Sequence, residues 1–79
     1  MIKVLFFGPV AEQVGQRSIE MEYRQGLSLR ELREMLAARH PQAFDMVAFV
    51  AVNGAQARDA DLLLADGSEV AFMAKFSGG

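Results

Sequence analysis

The sequence has 79 residues, enough for one domain that buries about 60% of its unfolded surface, so we expect an economical core and no large cleft. Its hydrophobic content of 52% is too high for a disordered chain, and its net charge of -2 does not provide the basic surface that nucleic-acid binding requires. The chain has no cysteine, which excludes a disulfide framework, a thiolate nucleophile and a cysteine-based metal site.

The first ten residues, MIKVLFFGPV, predict a β-strand. Alternation from residue 2 to residue 7 puts apolar side chains on both faces of this strand, and the pair Gly8-Pro9 marks its end. The apolar run is too short to span a bilayer and is not followed by a small-residue cleavage site. We therefore expect a cytoplasmic protein that does not bind membranes.

A second strand is predicted over residues 17–24. Ile19, Met21 and Tyr23 point to one side, and the polar residues between them point to the other. This alternation is typical of a strand with one face in solvent.

The segment LSLRELREMLAARHP predicts a helix over residues 28–39. Ser28 and Glu31 have the spacing of a capping box, and Leu27 and Leu32 have the spacing of a hydrophobic staple around it. Pro41 ends the helix. The predicted apolar stripe of this helix comprises Leu29, Leu32, Met35 and Leu36.

Two more strands follow the helix. The run MVAFVAVNG is almost wholly apolar and ends in Asn53-Gly54, which predicts a strand inside a sheet that enters a tight turn. After a short irregular stretch, Asp66-Gly67 predicts a turn into a strand over residues 69–73. The domain is thus predicted to span residues 1–73, with a flexible C-terminal tail over residues 74–79.

The order of elements predicts an α+β fold, with one main helix across one face of a mixed sheet of four or five strands. The side chains expected to face this helix are Val4, Phe6, Val50, Val52, Val70 and Phe72. The opposite face would then carry Leu5, Phe7, Phe49, Ala51, Ala71 and Met73. An exposed apolar face on a small domain indicates a protein interface. Two alternatives stay open, a face assignment displaced by one residue and a homodimer.

The sequence does not contain the residues of an enzyme active site. His40, the only histidine, stands beside a helix-ending proline and is expected to be a cation at the helix C terminus. The serines have no local base. The acidic run RDADLLLAD lacks the spacing of an EF-hand, and a Gly-x-x-x-x-Gly-Lys phosphate loop is absent. We predict no metal site and no permanently bound cofactor.

The sequence ends in two adjacent glycines, Gly78 and Gly79, which neither pack nor hold a conformation. At an average glycine content of ~7%, such a pair ends about 0.5% of chains by chance. A backbone without side chains can pass through a channel that a Cβ atom would block. The pair therefore predicts a tail that carries the α-carboxylate of Gly79 into the active site of another protein.

Three segments, MIKVLFFGPVAEQVG, AVNG and DGSEVAFMAKFSGG, resemble the small subunit of molybdopterin synthase, a family of MoaD-type sulfur carriers. The resemblance is strong at both ends, keeps the same order and spans nearly the whole chain. It implies a ubiquitin-like β-grasp fold in which the first strand lies in the middle of the sheet, parallel to the last strand.

The resemblance also implies a function. The terminal glycine of that family is adenylated with ATP by an E1-like activating enzyme, converted to a thiocarboxylate and inserted into the large synthase subunit. There it supplies sulfur for molybdenum cofactor biosynthesis. On this chain Gly79 would bear the adenylate and the thiocarboxylate. Gly78 would pass with it through the narrow channel of the partner.

The same resemblance implies a carrier without catalytic residues, because the large subunit of the heterotetramer supplies them and the activating enzyme consumes the ATP. The sulfur must come from a separate donor, since the chain has no thiol. The residues expected to contact the partner are Phe7, Phe49, Met73, Lys75, Phe76 and Ser77.

The chain departs from the family at Ala74 and Lys75, where members commonly have two prolines. Without the ring-fixed φ angles of proline, the tail should be less stiff, and it carries a charge. The departure bears on which partner the chain binds. It does not bear on the carrier role, because the carrier chemistry needs the glycines and not the prolines.

Two other functions fit the same sequence. One is a related ubiquitin-like carrier, which serves thiamine thiazole synthesis or another thiolation, or which is conjugated to proteins as a modifier. The other is a ubiquitin-like binding module with an inert tail, for which deletion of Gly78 and Gly79 would have no effect.

Overall fold

The computed structural model describes residues 1–75 and has the predicted ubiquitin-like β-grasp architecture. No helix within these residues combines the length and the apolar content needed to cross a membrane. The elements are β1 (Ile2–Phe6), α1 (Gly8–Val14), β2 (Ser18–Met21), α2 (Leu29–Arg39), α3 (Pro41–Asp45), β3 (Val47–Val52), β4 (Ala55–Gln56) and β5 (Glu69–Ala74).

The five strands form one mixed sheet in the order β2-β1-β5-β3-β4. β1 and β5 are parallel neighbours, with Val4 opposite Val70, and the other pairs are antiparallel. The parallel pairing of the two terminal strands is confirmed. Because the strands run the same way, Met1 lies at the start of β5, where its carbonyl oxygen accepts a hydrogen bond of 3.0 Å from the Gly67 N–H. The tail leaves from the opposite end of the sheet.

Helix α2 begins as the capping box predicts. The Ser28 hydroxyl accepts a hydrogen bond of 3.1 Å from the Glu31 N–H, and the Glu31 carboxylate accepts one of 3.4 Å from the Ser28 N–H. The helix ends at Arg39, and the N–H of His40 closes its last turn on the Leu36 carbonyl oxygen at 2.9 Å. At each end of α2, some of the backbone groups near the helix terminus therefore have hydrogen-bond partners.

The apolar stripe of α2 is narrower than predicted. Leu29, Leu32 and Leu36 are at most 4% exposed, whereas Met35 is 44% exposed. The inclusion of Met35 was wrong because it lies about 60° further round the helix than Leu32, outside the arc that reaches the sheet. A core-facing stripe on this helix accommodates three large side chains.

Two short helices and one short strand were not predicted. α1 follows β1 directly, with Pro9 in its first turn and Gly15 in the left-handed conformation at its end, φ 85°. α3 starts at Pro41. Both prolines were interpreted as breaks, although proline is also common in the first turn of a helix. Helices of seven and five residues are not stable alone, and these two depend on burying Val10 and Phe44 in the core.

The predicted Asn53-Gly54 turn agrees with the structure, whereas the ends of two predicted strands differ from it. Asn53 and Gly54 both have positive φ, 51° and 84°, as a tight hairpin turn requires, and they join β3 to the two-residue β4. β2 is shorter than predicted. β5 continues to Ala74, which pairs with Val47, so the first residue of the predicted tail belongs to the sheet.

One hydrophobic core lies between the sheet and the helices, and three phenylalanines occupy one part of it. The Phe44 and Phe72 ring centroids are 4.9 Å apart at 67°, and Phe6 meets Phe44 edge-on at 6.4 Å. These edge-to-face contacts connect α3 to the parallel neighbours β1 and β5. The tail follows the C-terminal end of β5.

Candidate interaction site

The two faces of the sheet differ sharply in exposure. On the inner face Val4, Phe6, Val50, Val70 and Phe72 are at most 6% exposed. Val52, also expected there, is partly buried. On the outer face, which the helices do not cover, the most exposed large apolar side chains are Phe7 at 48% and Phe49 at 38%. Leu5, Ala51 and Met73 are partly buried, and the small side chain of Ala71 is buried. The predicted assignment of faces is confirmed, and a displacement by one residue is excluded.

Six residues form an apolar patch on the outer face. Two rows across the neighbouring strands β1, β5 and β3 make up the patch. In the first row, Ala71 lies opposite Leu5 on one side and Ala51 on the other. In the second row, Met73 lies opposite Phe49, and Phe7 continues from the end of β1. The members of this apolar patch are Leu5, Phe7, Phe49, Ala51, Ala71 and Met73.

The second row of the patch lies at the end of the sheet from which the tail departs. Ala74 packs against the core, and Lys75, the next residue, is exposed. The patch and the root of the tail are therefore adjacent. The predicted roles of Phe76, Ser77, Gly78 and Gly79 concern residues outside those described and stay predictions.

The other end of the outer face carries charge. Lys3 on β1 lies opposite Glu20 on β2 and Glu69 on β5, and these three residues form a charged row across three strands. Strand alternation alone places each of them on the outer face. The row was not predicted from the sequence, because the register that aligns the three residues depends on strand pairing.

An open groove of about 550 Å³ adjoins the apolar patch between β1, α1 and the start of β2. Leu5 and Phe7 form part of its wall, which also includes the charged residues Lys3, Glu12 and Arg17. Within residues 1–75 no cluster of histidine, aspartate and glutamate is arranged to hold a metal ion.

Within residues 1–75, the two carboxyl groups with shifted pKa values lie away from the apolar patch. A hydrogen bond from the Arg24 guanidinium, followed by one from the Ser28 N–H, lowers the pKa of Glu31. A hydrogen bond from the N-terminal ammonium of Met1 lowers the pKa of Asp66. The first contact belongs to the cap of α2 and the second joins the start of β1 to the turn before β5, so both serve the fold.

A second exposed apolar feature lies in the loop before β5. Leu62 is 38% exposed and Leu63 is 66% exposed, whereas Leu64 is buried. The backbone of this loop is fixed to the start of α2, since Leu29 donates to the Leu62 carbonyl oxygen and Leu64 donates to that of Leu27, both at 2.9 Å. The run DLLLADG contained this signal, which the sequence analysis treated only as irregular structure.

Comparison with known proteins assigns the family. The model of the ThiS family matches residues 4–79. The chain belongs to the ThiS family. No curated protein matches the chain.

Solved structures of similar fold cover nearly the whole chain. A putative molybdopterin converting factor, subunit 1, from Pyrococcus furiosus is 26% identical, with a TM-score of 0.82 over 95% of this chain and 97% of the other. Small archaeal modifier protein 1 from Haloferax volcanii is 21% identical, with a TM-score of 0.78 over 95% and 97%.

A third structure is a complex of subunits 1 and 2 of the molybdopterin-converting factor from Helicobacter pylori 26695. Its matching chain is 23% identical, with a TM-score of 0.74 over 99% of this chain and 97% of the other. The resemblance deduced from the sequence is confirmed at the level of family and fold, which is the ubiquitin-like fold of ThiS- and MoaD-type carriers.

Proposed function

We propose that this ThiS-family protein is the sulfur carrier subunit of molybdopterin synthase. The observation that carries the proposal is the position of the apolar patch beside the root of a tail whose sequence ends in Gly78-Gly79. A surface that holds a partner next to a thin, reactive chain end is what a carrier needs. The similarity to a putative molybdopterin converting factor, subunit 1, favours this branch of the family.

The chemistry starts from the Gly79 carboxylate, which is a poor electrophile. Attack of a carboxylate oxygen on the α-phosphorus of ATP forms an acyl-adenylate and releases pyrophosphate. The outer sulfur of a persulfide-type donor then attacks the acyl carbon, and AMP leaves. A thiol of the donor or of the activating enzyme cleaves the resulting acyl disulfide, so that the terminus becomes a thiocarboxylate and that thiol is oxidised to a disulfide with the donor sulfur. The sulfur then bonds to the precursor pterin, and water hydrolyses the acyl–sulfur bond, which leaves the sulfur on the pterin and returns the carboxylate. The activating enzyme provides the nucleotide site, and the large subunit provides the catalytic residues.

The apolar patch provides the docking surface in this proposal. Phe7, Phe49 and Met73 contact the large subunit, together with Lys75 and the tail residues Phe76 and Ser77. An extended chain spans at most about 3.3 to 3.6 Å per residue, so the four residues after Lys75 can extend about 14 Å from the domain. That length suits a short channel into the active site of a partner that sits directly on the patch.

The partners follow from the same role. The Helicobacter pylori relative was solved as a complex of subunits 1 and 2. We infer that this chain pairs with the corresponding large subunit in a heterotetramer. It also visits an E1-like activating enzyme that consumes ATP. All of these steps take place in the cytoplasm, without membrane or nucleic acid.

The proposal is tested by incubating the carrier with the activating enzyme, ATP and a sulfur donor, and measuring its intact mass. Exchange of one oxygen for sulfur is expected in the parent. Addition of one residue after Gly79 should abolish the exchange, because the reactive carboxylate is then carried by a different residue. Addition of one residue at Met1, at the other end of the sheet, is the matched control and should leave the exchange intact. A thiocarboxylate on the extended variant that supports molybdopterin synthesis as well as the parent would refute the carrier role.

A protein modifier is the second candidate, and the structural likeness to small archaeal modifier protein 1 favours it. A modifier also forms an activated C terminus, so thiocarboxylate formation does not distinguish the two. Consumption of the thiocarboxylate by the large subunit, with release of molybdopterin, supports the synthase role. Accumulation of isopeptide conjugates in cells that carry the tagged protein, without that release, supports the modifier role.

A further inference from the structure

The outer face of the sheet has opposite charges at its two ends. Its middle is the uncharged apolar patch. The charged row at one end contains two carboxylates, Glu20 and Glu69, around one ammonium group, Lys3, and so has a net charge of -1. At the other end Lys75 provides a positive charge, and no ion pair within residues 1–75 involves Lys75.

The side groove does not alter this polarity. Lys3, Glu12 and Arg17 are the charged residues that line the groove. Lys3 is already counted in the charged row, and the opposite charges of Glu12 and Arg17 cancel. Lys75 follows Met73 by two residues on the same strand and its extension, so the alternation of an extended chain directs it towards the patch side. It is therefore the charged residue nearest to the root of the tail on the outer face.

The two charged ends are too far apart to neutralise each other. Lys75 is six positions after Glu69, which corresponds to about 20 Å at roughly 3.3 Å per residue. The Debye length is about 8 Å at physiological ionic strength. Each end therefore interacts with the group that faces it and not with the other end.

We propose that the partner surface that covers the apolar patch has the complementary polarity, with a carboxylate beside the root of the tail facing Lys75 and a cation facing Glu20 and Glu69. This inference rests on the proposed function, because it describes the partner that binds the same patch. A flat apolar patch allows several rotations of a bound protein. Charges of opposite sign at the two ends of the outer face favour a single rotation of the partner. In this rotation the channel of the partner lies over the tail.

The physical basis is the cost of an unmatched charge at the rim of a desolvated surface. A rim charge that faces an opposite charge increases the affinity slightly. A rim charge that faces a like charge or an apolar surface lowers the affinity, because it loses hydration and forms no ion pair. The wrong rotation would bring Lys75 against the cation of the partner. The charges thus select orientation, and the patch supplies most of the affinity.

The experiment measures the dissociation constant of the carrier and the purified large synthase subunit at low and high salt. Lys75→Glu and Glu69→Lys are each expected to weaken binding about fivefold at low salt, with a smaller effect at high salt. Glu20→Lys is a second variant at the same end as Glu69, on the edge strand. Circular dichroism verifies that every variant is folded.

The double variant Lys75→Glu with Glu69→Lys decides the question, because it restores the net charge of the parent. If the two ends face separate groups, the losses add, and binding falls about 25-fold. If only net charge steers association, the double variant binds like the parent, and the proposal is overturned. Arg33→Glu is the matched control, since it changes the net charge as Lys75→Glu does but lies on the exposed side of α2, and it should leave binding unchanged.

Failure of this inference can be told apart from failure of the proposed function. If Phe7→Asp abolishes binding and the charge variants bind like the parent, the patch is the docking surface but its polarity does not orient the partner. If Phe7→Asp also binds like the parent, the docking role of the patch is itself wrong.

Discussion

The N–H of Phe7 donates a hydrogen bond of 3.2 Å to the carbonyl oxygen of Phe72, and yet the rings of these two residues lie on opposite sides of the sheet. Phe72 is fully buried, whereas Phe7 is 48% exposed. The two phenylalanines are joined through their backbones at the end of β1 and β5. Phe72 belongs to the core, and Phe7 belongs to the surface that we propose as the docking site. Substitutions at the two positions should accordingly have different effects.

Replacement of Phe7 by aspartate should leave the domain folded and weaken the complex with the large subunit. The side chain lies outside the core, and a charge placed in a desolvated interface has no partner. A loss of about 2 kcal/mol, or about 30-fold in the dissociation constant, is expected. Calorimetric titration measures it. Loss of the folded state in circular dichroism would instead place Phe7 in the core.

Replacement of Phe72 by alanine should lower the free energy of unfolding by about 3 to 5 kcal/mol, because it leaves a cavity against Phe6 and Phe44. Phe49→Ala, on the outer face of the neighbouring strand, is the matched control and should cost less than about 1 kcal/mol. Urea denaturation measures both. Equal losses would mean that the outer face is packed as tightly as the core.

Replacement of Gly78 by valine should reduce sulfur transfer steeply while the stability of the domain is unchanged. The branched side chain restricts the backbone and widens the tail. The control is Ala38→Val, which creates the same branched side chain at an exposed position of α2. Molybdopterin formation in a reconstituted assay measures the effect. Parental activity of the Gly78 variant would show that the partner does not enclose the tail at this position.

The cap of α2 should make stability depend on pH in the acidic range. The Arg24 and Ser28 hydrogen bonds hold the pKa of Glu31 in the folded protein below its usual value of 4.5. The contribution of Glu31 is therefore fully present above pH 4.5 and is lost as the pH falls through the lowered pKa. Urea midpoints of the parent and of Glu31→Gln should differ at pH 7 and converge near pH 2. A difference that grows on acidification would contradict this assignment.

Signals that act over a few residues predicted their elements correctly. The capping box of Ser28 and Glu31, the stop at Pro41 and the Asn53-Gly54 turn each depend on neighbouring backbone geometry, which the local sequence controls. Strand alternation predicted which side chains share a face for the same reason. α1 and α3 were missed because helices this short are stable only against a core, and their prolines favour a break and a helix start alike.

The features of the candidate site can likewise be divided into those that the sequence predicts and those that depend on the tertiary structure. By itself the sequence determined the glycine pair, the absence of thiols, the capped helix and the set of outward-facing apolar residues, because composition and periodicity are properties of the chain alone. Only the tertiary structure decided that Lys3, Glu20 and Glu69 form one row and that Met35 is exposed. It also placed the exposed Phe7 and Phe49 beside the root of the tail. These relationships depend on the register between strands distant in sequence and on the docking of helices, where long-range packing determines which residues meet.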